Sequence, residues 1–253
     1  IKNEEKFYKY LTPKISFKHS PNETKNIKNN KHFLNIANIF NLNRIGNNES
    51  IEGGSSITLG LEYEKQDLDY DRLFLFNVAN VISDKTNENL PLSSTLGKKQ
   101  SDFVGNIYYK PTSNLNFDYN YSLDNSLKDS NFHLFETELK INNFITTFSF
   151  YEENDLIGDI SYFSNDFKYL IDEENSLSFQ TRRNKKSDLT EFYNLVYEYK
   201  NDCLTASMHY NKEYYQGNNI KPFEQLFFNI TLIPLGGTQT SNLVPQFNKY
   251  NDK

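Results

Sequence analysis

Apolar and polar residues alternate one for one along most of this chain. Between positions 115 and 124, Leu115, Phe117, Tyr119, Tyr121 and Leu123 are apolar or aromatic, while Asn116, Asp118, Asn120, Ser122 and Asp124 are polar. Phe135, Leu139 and Ile141 share one parity against Glu136, Glu138 and Lys140. Phe144, Phe148 and Phe150 oppose Thr147 and Ser149, and Tyr193, Leu195, Tyr197 and Tyr199 oppose Asn194, Glu198 and Lys200. Near the end, Leu226, Phe228, Ile230 and Leu232 oppose Gln225, Asn229 and Thr231. Successive side chains of a strand point to opposite faces, so this period of two predicts strands with one apolar and one polar face.

The breaks between these segments also alternate. Turn-like links fall at 66–69, 111–114, 142–143, 172–175 and 201–202, and other breaks, several of them longer, at 83–100, 125–130, 183–189 and 215–221. Tight turns at one end and longer loops at the other are the layout of an up-and-down barrel in an outer membrane. The pattern predicts roughly a dozen antiparallel strands. In the less regular first fifty residues, 11–19 and 33–42 read as strands joined by an Asn- and Lys-rich stretch, and 236–253 is a polar tail without strand pattern. No segment combines a cap with a 3.6-residue period, and no apolar run approaches the ~20 residues of a membrane-spanning helix.

Alternation alone leaves a water-soluble β-sandwich open beside a membrane barrel. Three features favour the barrel. The strands run about nine to twelve residues, the length needed to cross a bilayer at a tilt. Tyrosines recur near strand ends (Tyr63, Tyr70, Tyr108, Tyr109, Tyr151, Tyr199 and Tyr210), as an interfacial girdle requires. Full charges such as Asp118, Glu136, Glu138 and Glu198 stand on the polar parity, where a wet lumen accepts them. Composition agrees: only 37% of the residues are hydrophobic, yet 15% are aromatic, with 21 Phe and 18 Tyr. A disordered chain would be poor in aromatics.

The formal charge of -6 and pI near 5.3 argue against nucleic acid as a partner. One small basic group, Arg182, Arg183, Lys185 and Lys186, reads as a solvated loop. A catalytic reading finds no support. His19, His32, His133 and His209 are scattered without metal or triad spacing, and no nucleophile elbow, phosphate loop or C-x-x-C is present. No catalytic residue, metal site or cofactor is therefore expected. The chain opens on Ile1 without a charged-then-apolar leader and reads as an interior or processed piece of a longer protein.

Several stretches carry a family resemblance. The segment 11–21 leads a strand into Ser20-Pro21. Asn43-Arg44, then Glu52-Gly53-Gly54, then Gly60-Leu61-Glu62-Tyr63 form one block, and Leu90-Pro91 through Leu96 with Ser101-Asp102-Phe103-Val104-Gly105 another. Tyr199 to Cys203 forms a turn block, and Leu232 to Gly236 a closing strand. In order and spread these resemble the C-terminal barrel region of the lipopolysaccharide-assembly outer-membrane family LptD. The resemblance implies that residues 1–235 form the C-terminal part of a large transmembrane β-barrel in a Gram-negative outer membrane. It implies a conduit for lipopolysaccharide (LPS) rather than an enzyme. The implied partners are an LptE-like lipoprotein in the lumen, periplasmic LPS-bridge proteins reached through an N-terminal domain, and outer-membrane lipid. A porin or receptor barrel, or a soluble β-sheet binding module, are the alternatives.

The resemblance also implies site residues. Pro222, Leu226, Phe228, Ile230, Leu232 and Pro234 would lie on the closing strand, at one lip of a lateral exit seam. Pro234 reads either as a weak point of that seam or as a strand terminator before Gly236-Gly237. Cys203 would pair with a cysteine of the N-terminal domain. The family often carries two adjacent cysteines where this chain has Cys203-Leu204, so the bonding pattern stays open and a free thiol is the alternative. Arg44, Glu49 and Glu52 form a candidate charge cluster in an outer loop or the upper lumen, or else solvated charges around a glycine turn. Ser101-Asp102 reads as turn chemistry.

Overall fold

The computed structural model describes residues 7–30, 32–46, 50–154, 160–214 and 222–232. Twelve strands follow one another: β1 (Tyr8–Ser20), β2 (Gly54–Gln66), β3 (Arg72–Ser83), β4 (Phe103–Thr112), β5 (Leu115–Leu123), β6 (Ser130–Ile141), β7 (Phe144–Glu153), β8 (Ile160–Leu170), β9 (Asn175–Asn184), β10 (Leu189–Lys200), β11 (Leu204–Glu213) and β12 (Phe223–Leu232). Each is antiparallel to the next, in one sheet whose spatial order is the sequence order. The only helix among the described residues is one 3-10 turn, Thr95–Gly97. At ~3.3 Å per residue the strands measure roughly 30–43 Å, against the roughly 31–35 Å needed to cross an apolar band of about 25 Å at a 35–45° tilt.

Register assigns every side chain to a face. Thr12↔Glu62↔Asn77↔Asn106↔Asn120 and Glu136↔Ser149↔Ser164↔Arg182 are rows on one side. Pro13↔Leu61↔Val78 and Ile107↔Tyr119↔Phe135↔Phe150↔Phe163 are rows on the other. The second side is the lipid face. Leu11, Ile15, Phe17, Ile57, Leu59 and Leu61 stand exposed on it, and burying such surface in hydrocarbon is what stabilises the sheet in a membrane. The polar side is the inner face.

The links sort by end. Those at 67–71, 113–114, 142–143, 171–174 and 201–203 are short, and those at 21–53, 84–102, 124–129, 154–159, 185–188 and 214–222 lie at the opposite end. The short end is stitched by Asx turns. Asp67 Oδ1 accepts from the Asp69 and Asp71 amides at 2.9 Å, and Asp172 Oδ1 from those of Glu174 (2.9 Å) and Asn175 (2.8 Å). Along the lipid face near this end runs a band of ring contacts, Tyr63–Phe74–Tyr109–Phe117–Phe135. A second band, Phe144–Phe167–Phe179–Tyr193, continues it. Tyr63 and Tyr109 belong to the girdle as expected. Tyr108 and Tyr151 do not, because register with Asp118 and Leu134 turns them to the inner face.

Two unpaired edges remain. Among the described residues β1 pairs only with β2, and β12 only with β11. Unpaired backbone groups in hydrocarbon cost several kcal/mol each, so both edges need partner strands outside these residues. The sheet is thus the wall of a larger antiparallel barrel.

One expected strand is absent. Residues 33–42 form consecutive turns instead. Asn35, Asn38 and Asn41 recur every third residue and supply the turn chemistry. The Ile39 amide donates to the Asn35 carbonyl (3.0 Å), the Asn41 amide to that of Asn38 (2.9 Å), and Asn35 Oδ1 accepts from the Ala37 amide (3.0 Å). Apolar residues in and before these turns pack toward the sheet: Ile39 is fully buried and Leu34 nearly so, with Ile36 and Phe40 partly buried beside them.

Candidate functional site

The site candidate is the inner face and the loops laid on it. Loops 21–53 and 84–102 fold down from the long-loop end and pack against β3 and β4. Ile27, Leu34, Ile39, Ile45, Leu90 and Leu96 meet Ala79, Val81 and Val104 in one apolar core, with Ile36 and Phe40 at its margin. The two loops are bound to each other as well. The Ile27 amide donates to the Asn89 carbonyl (2.9 Å), and that of Leu92 to the Lys28 carbonyl (3.1 Å). They form a plug seated on part of the wall. Gly60 makes room for it, since a Cβ there would stand 2.6 Å from Cζ of the Phe40 ring.

A buried ion pair pins this plug to β1 and β2. Arg44 is 1% exposed. Its Nε donates to Glu52 Oε2 at 2.9 Å and its Nη2 to Glu52 Oε1 at 2.5 Å, a two-pronged contact. Nη1 donates to Thr58 Oγ1 (2.9 Å) and Nη2 also to Ser56 Oγ (2.6 Å), both inner-face residues of β2. Lys18 of β1 reaches Glu52 Oε2 at 2.8 Å. Arg44 and Glu52, read from the sequence as a cluster, thus meet in space; Lys18 joins them, and Glu49 lies outside the described residues. The Arg44 carbonyl accepts from His32 Nε2. Burial holds the His32 imidazole below its usual range, against the opposing pull of that hydrogen bond.

Asp102 is a second joint. It is buried just before β4, where its Oδ2 accepts from Ser122 Oγ of β5 (3.1 Å) and Asn131 Nδ2 of β6 (2.5 Å). Its amide donates to Thr95 Oγ1 of the plug at 2.7 Å. Ser101 Oγ accepts from the Val81 amide at 2.9 Å. The pair does more than turn the chain: it ties loop 84–102 to three strands, β3, β5 and β6. Burial pushes the Asp102 carboxyl above the usual range, with the Asn131 and Ser122 hydrogen bonds opposing.

Beyond the plug the inner wall is wet chemistry. Asp118 accepts from Asn106 (2.8 Å) and Asn120 (2.6 Å), Asp166 from Gln180 (2.5 Å), and Glu138 pairs with Lys140 (3.0 Å). Near the long-loop ends of β6 to β10, however, rings break the polar parity. Phe33 of the plug meets Phe132, Phe132 meets Tyr151, and Tyr151 stacks on Tyr162 with centroids 4.9 Å apart. The Arg182 guanidinium then lies 5.1 Å from the Tyr162 ring and 5.3 Å from the Phe192 ring. A register slip between Thr190 and Phe192 accompanies Glu191, which accepts from Arg182 Nε and from Asn184 Nδ2. Arg182 is therefore an inner-wall residue with a carboxylate partner, not part of a solvated basic loop. Arg183 points the other way and pairs with Asp188 at 2.7 Å. The signal was present in the sequence, as aromatics standing on the same parity as Glu136, Ser149 and Ser164. It becomes legible only once register is known.

The remaining candidate residues sit apart. Cys203 is exposed in the short link 201–203, its amide donating to Asn201 Oδ1 at 3.0 Å. Leu226, Phe228, Ile230 and Leu232 line the lipid face of β12, 56–75% exposed, with Pro222 just before the strand. Pro234 and the tail 236–253 lie outside the described residues. Among the described residues no group of His, Cys, Asp and Glu could hold a metal ion.

A two-faced antiparallel up-and-down wall with an inner plug, charged inside and apolar outside, is the wall of an outer-membrane β-barrel. The family profile described as LptD, LPS transport system D, matches residues 1–159, and the chain belongs to that family. Its place is the outer membrane and its work is lipopolysaccharide transport. No curated protein matches the chain.

Proposed function

We propose that this chain forms part of the wall through which LPS is inserted into the outer leaflet, with β12 as one lip of a lateral seam. The observation that carries the reading is the condition of β12. Among the described residues it pairs with β11 alone, and its lipid-face residues Leu226, Phe228, Ile230 and Leu232 are among the most exposed apolar side chains. Anchored by ten continuous pairs to β11 on one side, β12 can open and reclose at its other edge without leaving the sheet. An acyl chain leaving there would meet apolar side chains, while the charged saccharide stays on the inner face. An LptE-like lipoprotein would occupy the lumen against the wall that the plug leaves bare. Cys203, at the short-link end, would be held by a disulfide to a periplasmic domain of the complete protein.

The test is a reversible lock. Cysteines placed at Asn229 and on the facing strand of the full-length barrel would be oxidised in cells, and surface LPS measured by antibody or phage binding. LPS export should stop on oxidation and resume on reduction. Undiminished export through a fully crosslinked seam would overturn the reading.

A further inference from the structure

Outside the plug the inner wall is largely polar, and Tyr108, Leu134, Val196, Phe223 and the His209–Phe227 stack are among its separate exceptions. The row Phe132, Tyr151, Tyr162, Arg182 and Phe192 is the one that runs continuously across five strands. Each lies two or three residues from the long-loop end of its strand, about 7–10 Å below the rim at ~3.3 Å per residue. The row starts at the plug, where Phe33 touches Phe132, and runs out from under it across β6, β7, β8, β9 and β10. The plug's apolar core ends on β4, so it does not account for the rings on β7 to β10. All five side chains remain partly exposed.

We propose that this row is an aromatic contact track for oligosaccharide, the sugar portion of the glycolipid; the proposal rests on the transport reading above. A sugar ring offers an apolar C–H face and a rim of hydroxyls. Phe132 meets Tyr151 edge-on with centroids 5.5 Å apart, Tyr151 and Tyr162 stack in parallel at 4.9 Å, and the Arg182 guanidinium lies 5.1 and 5.3 Å from the Tyr162 and Phe192 rings. The partly exposed rims of this ladder form a continuous apolar strip that matches the first need. A guanidinium stacks between rings as an aromatic would and adds charge for anionic substituents. The second need is met by the polar groups at the row's edges: the Tyr151 hydroxyl, which donates to Glu153 Oε2 at 2.5 Å, and Asn184 and Glu191 beside Arg182. Apolar contact along successive rings tolerates variation in the unit that makes it and lets that unit step from one ring to the next. That suits passage better than tight capture.

The experiment uses the full-length protein with its lumen partner in detergent, and delipidated core oligosaccharide as the probe. Saturable binding is expected. Tyr162→Leu and Phe192→Leu should each weaken it three- to tenfold, the range of one lost aromatic contact, while Tyr162→Phe keeps it. Unchanged heat-modifiable mobility verifies that each variant is folded. In parallel, a photo-crosslinking phenylalanine analogue at position 151 or 162 in cells should yield LPS adducts, with inner-face Ser207 of β11 as reference. Binding unaffected by Tyr162→Leu, or adducts to a protein in place of LPS, would overturn the track. LPS adducts at 207 but none at 151 or 162 would overturn it while leaving the transport reading intact. The absence of LPS adducts at all three positions would count against transport itself.

Discussion

The Arg44–Glu52 pair makes an asymmetric prediction. Glu52 has two cationic partners, Arg44 and Lys18, whereas Arg44 has Glu52 and two hydroxyls. Removing Glu52's charge strands a guanidinium that is 1% exposed. Removing Arg44 leaves a carboxylate still held by Lys18 at 2.8 Å. Breaking a buried pair costs about 3–5 kcal/mol when the surviving charge is uncompensated. Glu52→Gln should therefore approach that range, and Arg44→Met should cost about half as much or less. The double variant should fall below Glu52→Gln alone, because no stranded guanidinium remains. The cost falls on seating the plug rather than on the strands. The readout is hydrogen exchange of the plug amides of Ile27 and Leu92, which donate between the two loops, in the full-length protein. With tenfold per 1.4 kcal/mol, protection should fall by about two to three and a half powers of ten in Glu52→Gln, up to the plug's own stability. Strand amides of β6 to β9 should be unaffected. Equal losses in the two single variants, or a double variant worse than Glu52→Gln, would refute the charge-stranding argument.

Three further outcomes are expected. Phe148 points to lipid midway along β7, so Phe148→Arg should impair assembly by roughly 2–4 kcal/mol, whereas inner-face Ser149→Arg should be tolerated; equal heat-modifiable folding of the two would mean the faces are reversed. Asp102 has a carboxyl raised by burial. Its contribution is full below the unfolded-state value and is lost as pH rises through the folded one, so loop 84–102 should be better protected at acidic pH, and Asp102→Asn should flatten that dependence. A pH-independent wild type would contradict it. Full-length protein should change mobility on non-reducing gels when Cys203→Ser is introduced; identical migration would leave Cys203 a free thiol.

The sequence by itself determined the strands, their faces and their connection. A period of two is a property of the extended backbone, so Leu115 to Leu123 or Tyr193 to Tyr199 declare two faces without any neighbour. The link lengths declare a meander for the same local reason. What only the tertiary structure decided was everything that depends on register or on a second surface. Residues 33–42 carry enough apolar side chains to pass for a strand, yet Asn at every third position bends them into turns that are stable only against Ala79, Val81 and Val104. Arg44 and Glu52 were visible as a charge cluster. Their burial, and the part played by Lys18, followed from the plug closing over β1 and β2. Asp102 could not show from its neighbours that it reaches Ser122 and Asn131 on two other strands. The rings at 132, 151, 162 and 192 each look like a local lapse in alternation. Only the cross-strand register, carried by backbone hydrogen bonds between distant segments, lines them up on one wall.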